Sequence, residues 1–325
     1  MGNHDALIAM WRRGGVSTFS LPKPHRSDPN LVAFPQKNEP MNPVPEDLAA
    51  LRREIDSIDE KLHDLLMQRG EVVAKIGHQK SAGGEVTFRP AREAQLLKRL
   101  LTRHRGDLPG YAVVRIWREI IAASIRIQGE LSVGYCPIEE HGAALRLAKG
   151  YFGIDAIVVR FESASHVISA IDCGEVSVGL VPLPQASDVP GWWSGIRDKP
   201  DIHAVARLPW FLETADAAAA LVVARTVPEA SGDDRSLLMF SCPSAVNRAR
   251  VGEACAAEGL AIVSQVVTGD PRGSDQILYL LEFEGFVGAE DSRIQTLVAR
   301  LEASTARLLG AFARSPVAPG TAGGK

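Results

Sequence analysis

Apolar residues recur at Leu48, Leu51, Ile55, Ile58, Leu62 and Leu65, then again at Val72 and Ile76. This three-four repeat predicts one long amphipathic helix, entered through Pro43–Pro45 with Glu46 and Asp47 in its first turn. It ends near Ser81, before Gly83 and Gly84. A helix of that length needs partners along its seam, so a bundle or an intertwined oligomer is expected. The seam position after Leu65 should be apolar, yet Arg69 stands there. Lys80, eleven residues on, returns to within about 20° of the Arg69 face at roughly 100° per residue. A cation in an apolar seam is costly unless an anion meets it.

Two further helices follow. Pro90 opens one over about 90–104, with Leu96, Leu97, Leu100 and Leu101 inward and Arg92 and Glu93 in its first turn. The next, about 109–130, has a seam of Val114, Trp117, Ile121, Ser124 and Gln128, which begins apolar and ends polar. Taken singly, Arg69 can snorkel its head to water, and Ser124 and Gln128 can frame a helix end. Taken together, Arg69, Lys80, Arg92, Glu93, Ser124 and Gln128 describe a cationic, hydrogen-bonding pocket inside a helical bundle. Such a pocket suits a small dianion, above all a dicarboxylate.

From Ser132 the pattern changes to short apolar strands near 132–136, 155–161, 176–182, 202–208 and 219–225. Helices near 140–151 and 163–172 alternate with them, an α/β layer. Residues 236–313 then read strand, helix, strand, strand, helix, strand, a split βαβ, ferredoxin-like order. The expected organisation is multidomain. An aperiodic, disordered tail covers 1–44, an all-α domain 45–131, an α/β lobe 132–230 and an α+β domain 234–315. A short disordered tail, 316–325, closes the chain.

Bulk chemistry narrows the partners. A net charge of -3 gives no reason to expect nucleic acid or an acidic membrane surface. Cys136, Cys173, Cys242 and Cys255 are widely spaced, without a metal-like pairing, and read as reduced thiols of a cytosolic protein. No apolar run reaches the roughly 18 residues needed to span a bilayer. The short apolar patch Leu7–Trp11 is followed by Arg12 and Arg13, the wrong order for a secretory signal.

The segments LAALRREIDSIDEKLHDLLMQRGEVVAKIGHQK, FRPAREAQLLKRL and WREIIAASIRIQ resemble the all-helical class of chorismate mutase. The resemblance covers about Asp47 to Glu130. It implies a cofactor-free, metal-free isomerase that rearranges chorismate to prephenate as an intertwined homodimer with two composite sites. By the same resemblance, Arg69 grips a substrate carboxylate, and Arg52 reaches a carboxylate in the partner's site. Lys80 and Gln128 bond the breaking ether oxygen, Arg92 adds a cationic contact, Glu93 faces the substrate hydroxyl, and Ser124 is a polar contact to a carboxylate. Arg89 departs from the pattern, since some members carry an aspartate there. Periodicity adds one independent point: Arg52 lies about 100° off the face of Arg69, poorly placed for the same pocket.

The rest of the chain is similar to a prephenate dehydratase followed by an ACT-like regulatory domain. That similarity rests on EHGAALRLA, GEVSVGLVPLPQAS, YLLEFEG and the closing LLGAFA. The departures are larger than the match. Ile138, Glu139, Glu140 and His141 stand where dehydratases carry a Gly-Thr-aromatic-Ser-His loop. Pro184, Gln185, Ala186 and Ser187 replace Glu-Asn-Ser, and alanines 217–220 fill the place of the Thr-Arg-Phe segment. The resemblance therefore implies a degenerate, reduced lobe kept for assembly or regulation. The rival readings are a still-bifunctional mutase and dehydratase, and a non-catalytic regulatory partner of a shikimate-pathway enzyme.

Overall fold

The computed structural model describes residues 46–81, 88–138, 142–185, 191–211, 218–272 and 275–316. Both predicted tails, and the substitutions read at 139–141, 186–187 and 217, lie outside the described residues, apart from Pro316.

Three helices come first: α1 (Glu46–Ser81), α2 (Pro90–Arg103) and α3 (Gly110–Gln128). The 36 residues of α1 form one uninterrupted helix, about 54 Å long at 1.5 Å per residue. Two compact units divide within it, after Asp59. In the first, Leu51 and Ile55 are 49% and 57% exposed; in the second, Leu62 and Leu65 are 53% and 60% exposed. The seam read from the sequence is thus apolar and open. Only toward its C-terminal end does α1 bury residues, at Val73 and Gly77. Gly77 permits a close approach: a Cβ there would lie 3.1 Å from the Gln128 Cα.

The α/β part comprises β1 (Ser132–Tyr135), α4 (Ala143–Phe152), β2 (Ile157–Arg160), α5 (Ala164–Asp172), β3 (Val178–Pro182), β4 (His203–Leu208) and β5 (Ala220–Ala224). Then follow β6 (Asp234–Pro243), α6 (Arg248–Ala257), β7 (Ile262–Gly269), β8 (Gln276–Glu284), α7 (Ser292–Arg300) and β9 (Thr305–Ala313), the chain order expected for 236–313. β1 pairs in parallel with β2 and β3, as short strands joined by helices do, and β5 is antiparallel to both β3 and β4. In the last part β6 lies between β8 and β9, and β7 edges β8, all antiparallel.

Two separate sheet-bearing segments are expected from the strand pattern; the structure joins them. The strand order is β2-β1-β3-β5-β4-β9-β6-β8-β7, one nine-stranded sheet. The joint is the parallel pairing of Ala204 with Gly310. A Cβ at Gly310 would fall 1.9 Å from the Ala204 carbonyl oxygen, so the two strands meet closely only because this residue has no side chain.

Alternation along the strands divides the core. Leu221 and Val223 face one side with Leu237, Met239, Leu278 and Leu280, packed against α5, Trp192 and Trp193. Ala220, Val222 and Ala224 face the other, where Phe88, Leu97, Val114 and Ile121 of the helical part meet Tyr151 and Phe152 of α4. Leu238, Phe240, Tyr279 and Phe283 close a third cluster under α6 and α7. The helical part is therefore packed on the sheet, with polar ties as well. Lys98 of α2 donates to the Asp233 carbonyl at 2.9 Å, and Arg89, the N-cap residue of α2, pairs with Glu229 at 2.7 Å. Among the described residues no helix is long and apolar enough to cross a membrane.

Candidate active site on the helical part

Arg69 is half-buried on α1, and its Nη1 donates to the Ser124 hydroxyl of α3. The Ser124 O–H is itself spent on the Ile120 carbonyl at 2.6 Å, which turns the hydroxyl lone pairs toward the guanidinium. One turn further along α3, the Gln128 side-chain amide donates to the Ser124 carbonyl at 3.0 Å. Arg69, Ser124 and Gln128 are therefore brought together, from positions that are far apart in the chain. Burial lowers the Arg69 pKa from its usual value, though an arginine remains charged at neutral pH. Among the described residues no carboxylate pairs with it.

Lys80 lies in the last turn of α1, and its side chain is outside the described residues. Arg52 is exposed in the N-terminal part of α1, and Arg92 is exposed in the first turn of α2.

Glu93 is placed differently from the sequence expectation. The structure does not bring it to the Arg69–Ser124 pair; it buries it against Arg118 of α3, whose Nη1 donates to Oε2 at 2.8 Å. Arg118 precedes Ser124 by six residues, about 9 Å along the helix and about 120° around it. Its guanidinium lies over the Tyr151 ring, 3.9 Å from the centroid. Burial raises the Glu93 carboxyl above the ordinary carboxylate range, with Arg118 pulling the other way; burial, then Glu93, raise the Tyr151 hydroxyl. The carboxylate is spent within the fold, fixing α2 to α3.

Two residues escaped the sequence reading. Gly77 sets how near Gln128 comes to α1, and the available signal was a glycine inside a helix, where it costs about 1 kcal/mol relative to alanine. Arg118 is 3% exposed. Its signal was a cation one turn from both Val114 and Ile121, on the apolar side of α3.

Residues 51–129 match the family model "Chorismate mutase type II", which places a chorismate mutase type II domain on α1, α2 and α3. Among curated relatives, the bifunctional chorismate mutase/prephenate dehydratase of Pseudomonas aeruginosa is 33% identical over 149 residues, 43% of this chain and 40% of that protein. The T-protein of Enterobacter agglomerans is 49% identical over 51 residues, 16% of this chain and 14% of that protein. The chain spans about two fifths of the length of the first curated relatives it matches. Among solved structures, a prephenate dehydratase from Streptococcus mutans overlaps 57% of this chain and 99% of its own, at 17% identity and a TM-score of 0.41.

Proposed function

We propose that the protein is a chorismate mutase, rearranging chorismate to prephenate without a cofactor, as a homodimer with composite sites. The observation that carries the reading is Arg69, a half-buried guanidinium faced by a hydroxyl and by no carboxylate of the described residues. It stands inside the segment that matches the mutase family. The open apolar face of α1 supports the homodimer, because a second copy of the same helix would cover it and carry its own Arg52 along.

A pericyclic rearrangement needs no nucleophile. It gains from holding the flexible enolpyruvyl ether in its folded conformation, and from cancelling charge that grows on the ether oxygen as the C–O bond breaks. Arg69, Arg92 and the partner copy's Arg52 hold the two carboxylates. Ser124 orients Arg69, and Lys80 and Gln128 meet the ether oxygen. Residues 132–230 act as a reduced α/β lobe and 234–315 as an ACT-like domain, both serving assembly or regulation. The free thiols fit a cytosolic protein.

Purified protein should consume chorismate, followed by its absorbance. Lys80→Ala should lower turnover by roughly 10²- to 10³-fold with helicity unchanged, the usual cost of losing one donor to developing charge. Near-normal turnover in that variant sinks the assignment. The names of the curated relatives favour testing a second reading, a bifunctional enzyme. Incubation with prephenate at neutral pH separates the two, since only a dehydratase yields phenylpyruvate.

A further inference from the structure

Buried Arg118 of α3 stands where three other parts of the fold meet. From α2, the Glu93 carboxylate accepts from its Nη1 at 2.8 Å. From α4, the Tyr151 ring lies 3.9 Å from its guanidinium carbon, and the Trp210 ring, just past β4, lies 5.6 Å away. The Tyr151 hydroxyl answers to both charges, since Glu93 raises it and Arg118 lowers it. Tyr151 and Trp210 fall outside residues 51–129, the segment that matches the mutase family. A buried ion pair is weak evidence for stability, because apolar residues of the same volume often serve as well. What it offers over them is direction. Val114, Ile121 and Ile125 hold α3 to the core through non-directional contacts. A charged hydrogen bond and a cation over a ring face have preferred angles. The angle of α3 matters because the same helix carries Ser124 and Gln128. Side chains reach about 5–6 Å from a helix axis, so a turn of about 10° shifts them by about 1 Å. A shift of that size can cost a catalytic site about 10²-fold.

We propose that Glu93, Arg118 and Tyr151 are positioning residues for the mutase site: they set the angle of α3, and through it the places of Ser124 and Gln128. The inference rests on the mutase reading. It gives Glu93 a part other than facing the substrate hydroxyl, because its carboxylate is held by Arg118. It also makes full mutase turnover depend on a ring supplied by the α/β part, which thereby serves the reaction from outside the matched segment.

Chorismate turnover at saturating substrate tests it, per mole of folded full-length protein, with circular dichroism and thermal melting as controls. Tyr151→Leu removes the ring and should lower kcat by about tenfold, whereas Tyr151→Phe keeps it and should stay within about twofold of wild type. Glu93→Gln strands the buried Arg118 charge and should lower kcat by about 10²-fold. Adding Arg118→Gln removes the stranded charge and should raise kcat at least about fivefold above that of Glu93→Gln alone. A carboxylate that faced the substrate would not be replaced by changing its neighbour. Unchanged kcat in folded Tyr151→Leu overturns the proposal, and so does a double variant no better than Glu93→Gln. Should Tyr151→Leu not fold, the Glu93 and Arg118 variants decide. Wild-type protein that leaves chorismate unconsumed overturns the mutase reading and this proposal together; active wild type with unresponsive variants overturns this proposal alone.

Discussion

Helix α1 and the sheet that ends the chain solve the burial of apolar surface in opposite ways. In β6 and β8, alternate residues go to two different clusters, so Leu280 and Leu281 are both buried, on opposite faces. Along α1, a stripe at least as regular stays in the open, with Leu65 60% exposed. The sheet is completed by its own chain; the helix has a face that none of the described residues covers. Regularity of pattern therefore reports that a face is apolar, and not whether its own chain covers it.

The most severe way to break the comparison is to put charge on the open stripe. Leu62→Asp with Leu65→Asp should abolish self-association and lower chorismate turnover by roughly 10²-fold or more, while the sheet stays folded. Sedimentation and the absorbance assay read the two effects, and a dimer that survives would contradict the partner proposed for α1. The converse change is Phe283→Ala, which empties space between β8 and the two covering helices. It should cost about 3–5 kcal/mol of stability in urea titrations, with self-association of the remaining folded protein retained.

A finer cut lies where α1 does touch its own chain. Gly77→Val would drive side-chain atoms into Gln128, and should lower turnover by roughly tenfold, through displacement of a side chain by under an ångström. Circular dichroism should stay helical.

A pH effect belongs to the sheet side alone, because α1 contains no cysteine. Burial raises the Cys136, Cys242 and Cys255 thiols to about 11, against about 8.5 in an unfolded chain. The native state thus holds these protons more tightly. Their contribution to stability is fully present below about pH 8.5 and is lost as the pH rises toward about 11. Denaturation midpoints at successive pH values should fall accordingly. Exposed Cys173 should react with iodoacetamide in the native state, before the other three.

What the sequence disclosed follows from the range of the interactions concerned. The α1 repeat, the opening of α2 at Pro90 and the strand–helix order of 236–313 are local, and each matched an observed element within a few residues. Arg69 was legible because a charge interrupts a period, and Ser124 because a hydroxyl does. Glu93 was legible as a polar residue of interest but not in its partner, since Arg118 lies 25 positions away and no period links them. The Ala204–Gly310 joint was hidden for the same reason: one glycine in a strand has many explanations, and only the strand beside it selects one.

That joint has a consequence for unfolding. The central core draws Val181, Trp193 and Val223 from before the Glu229–Asp234 connection, and Met239, Leu280 and Phe312 from after it. Strands on either side share hydrogen bonds and apolar neighbours, so neither can lose its order while the other keeps its own. Residues from β1 to β9 should therefore melt as one cooperative unit, with amide protons of β4 and β9 exchanging together at the free energy of the whole.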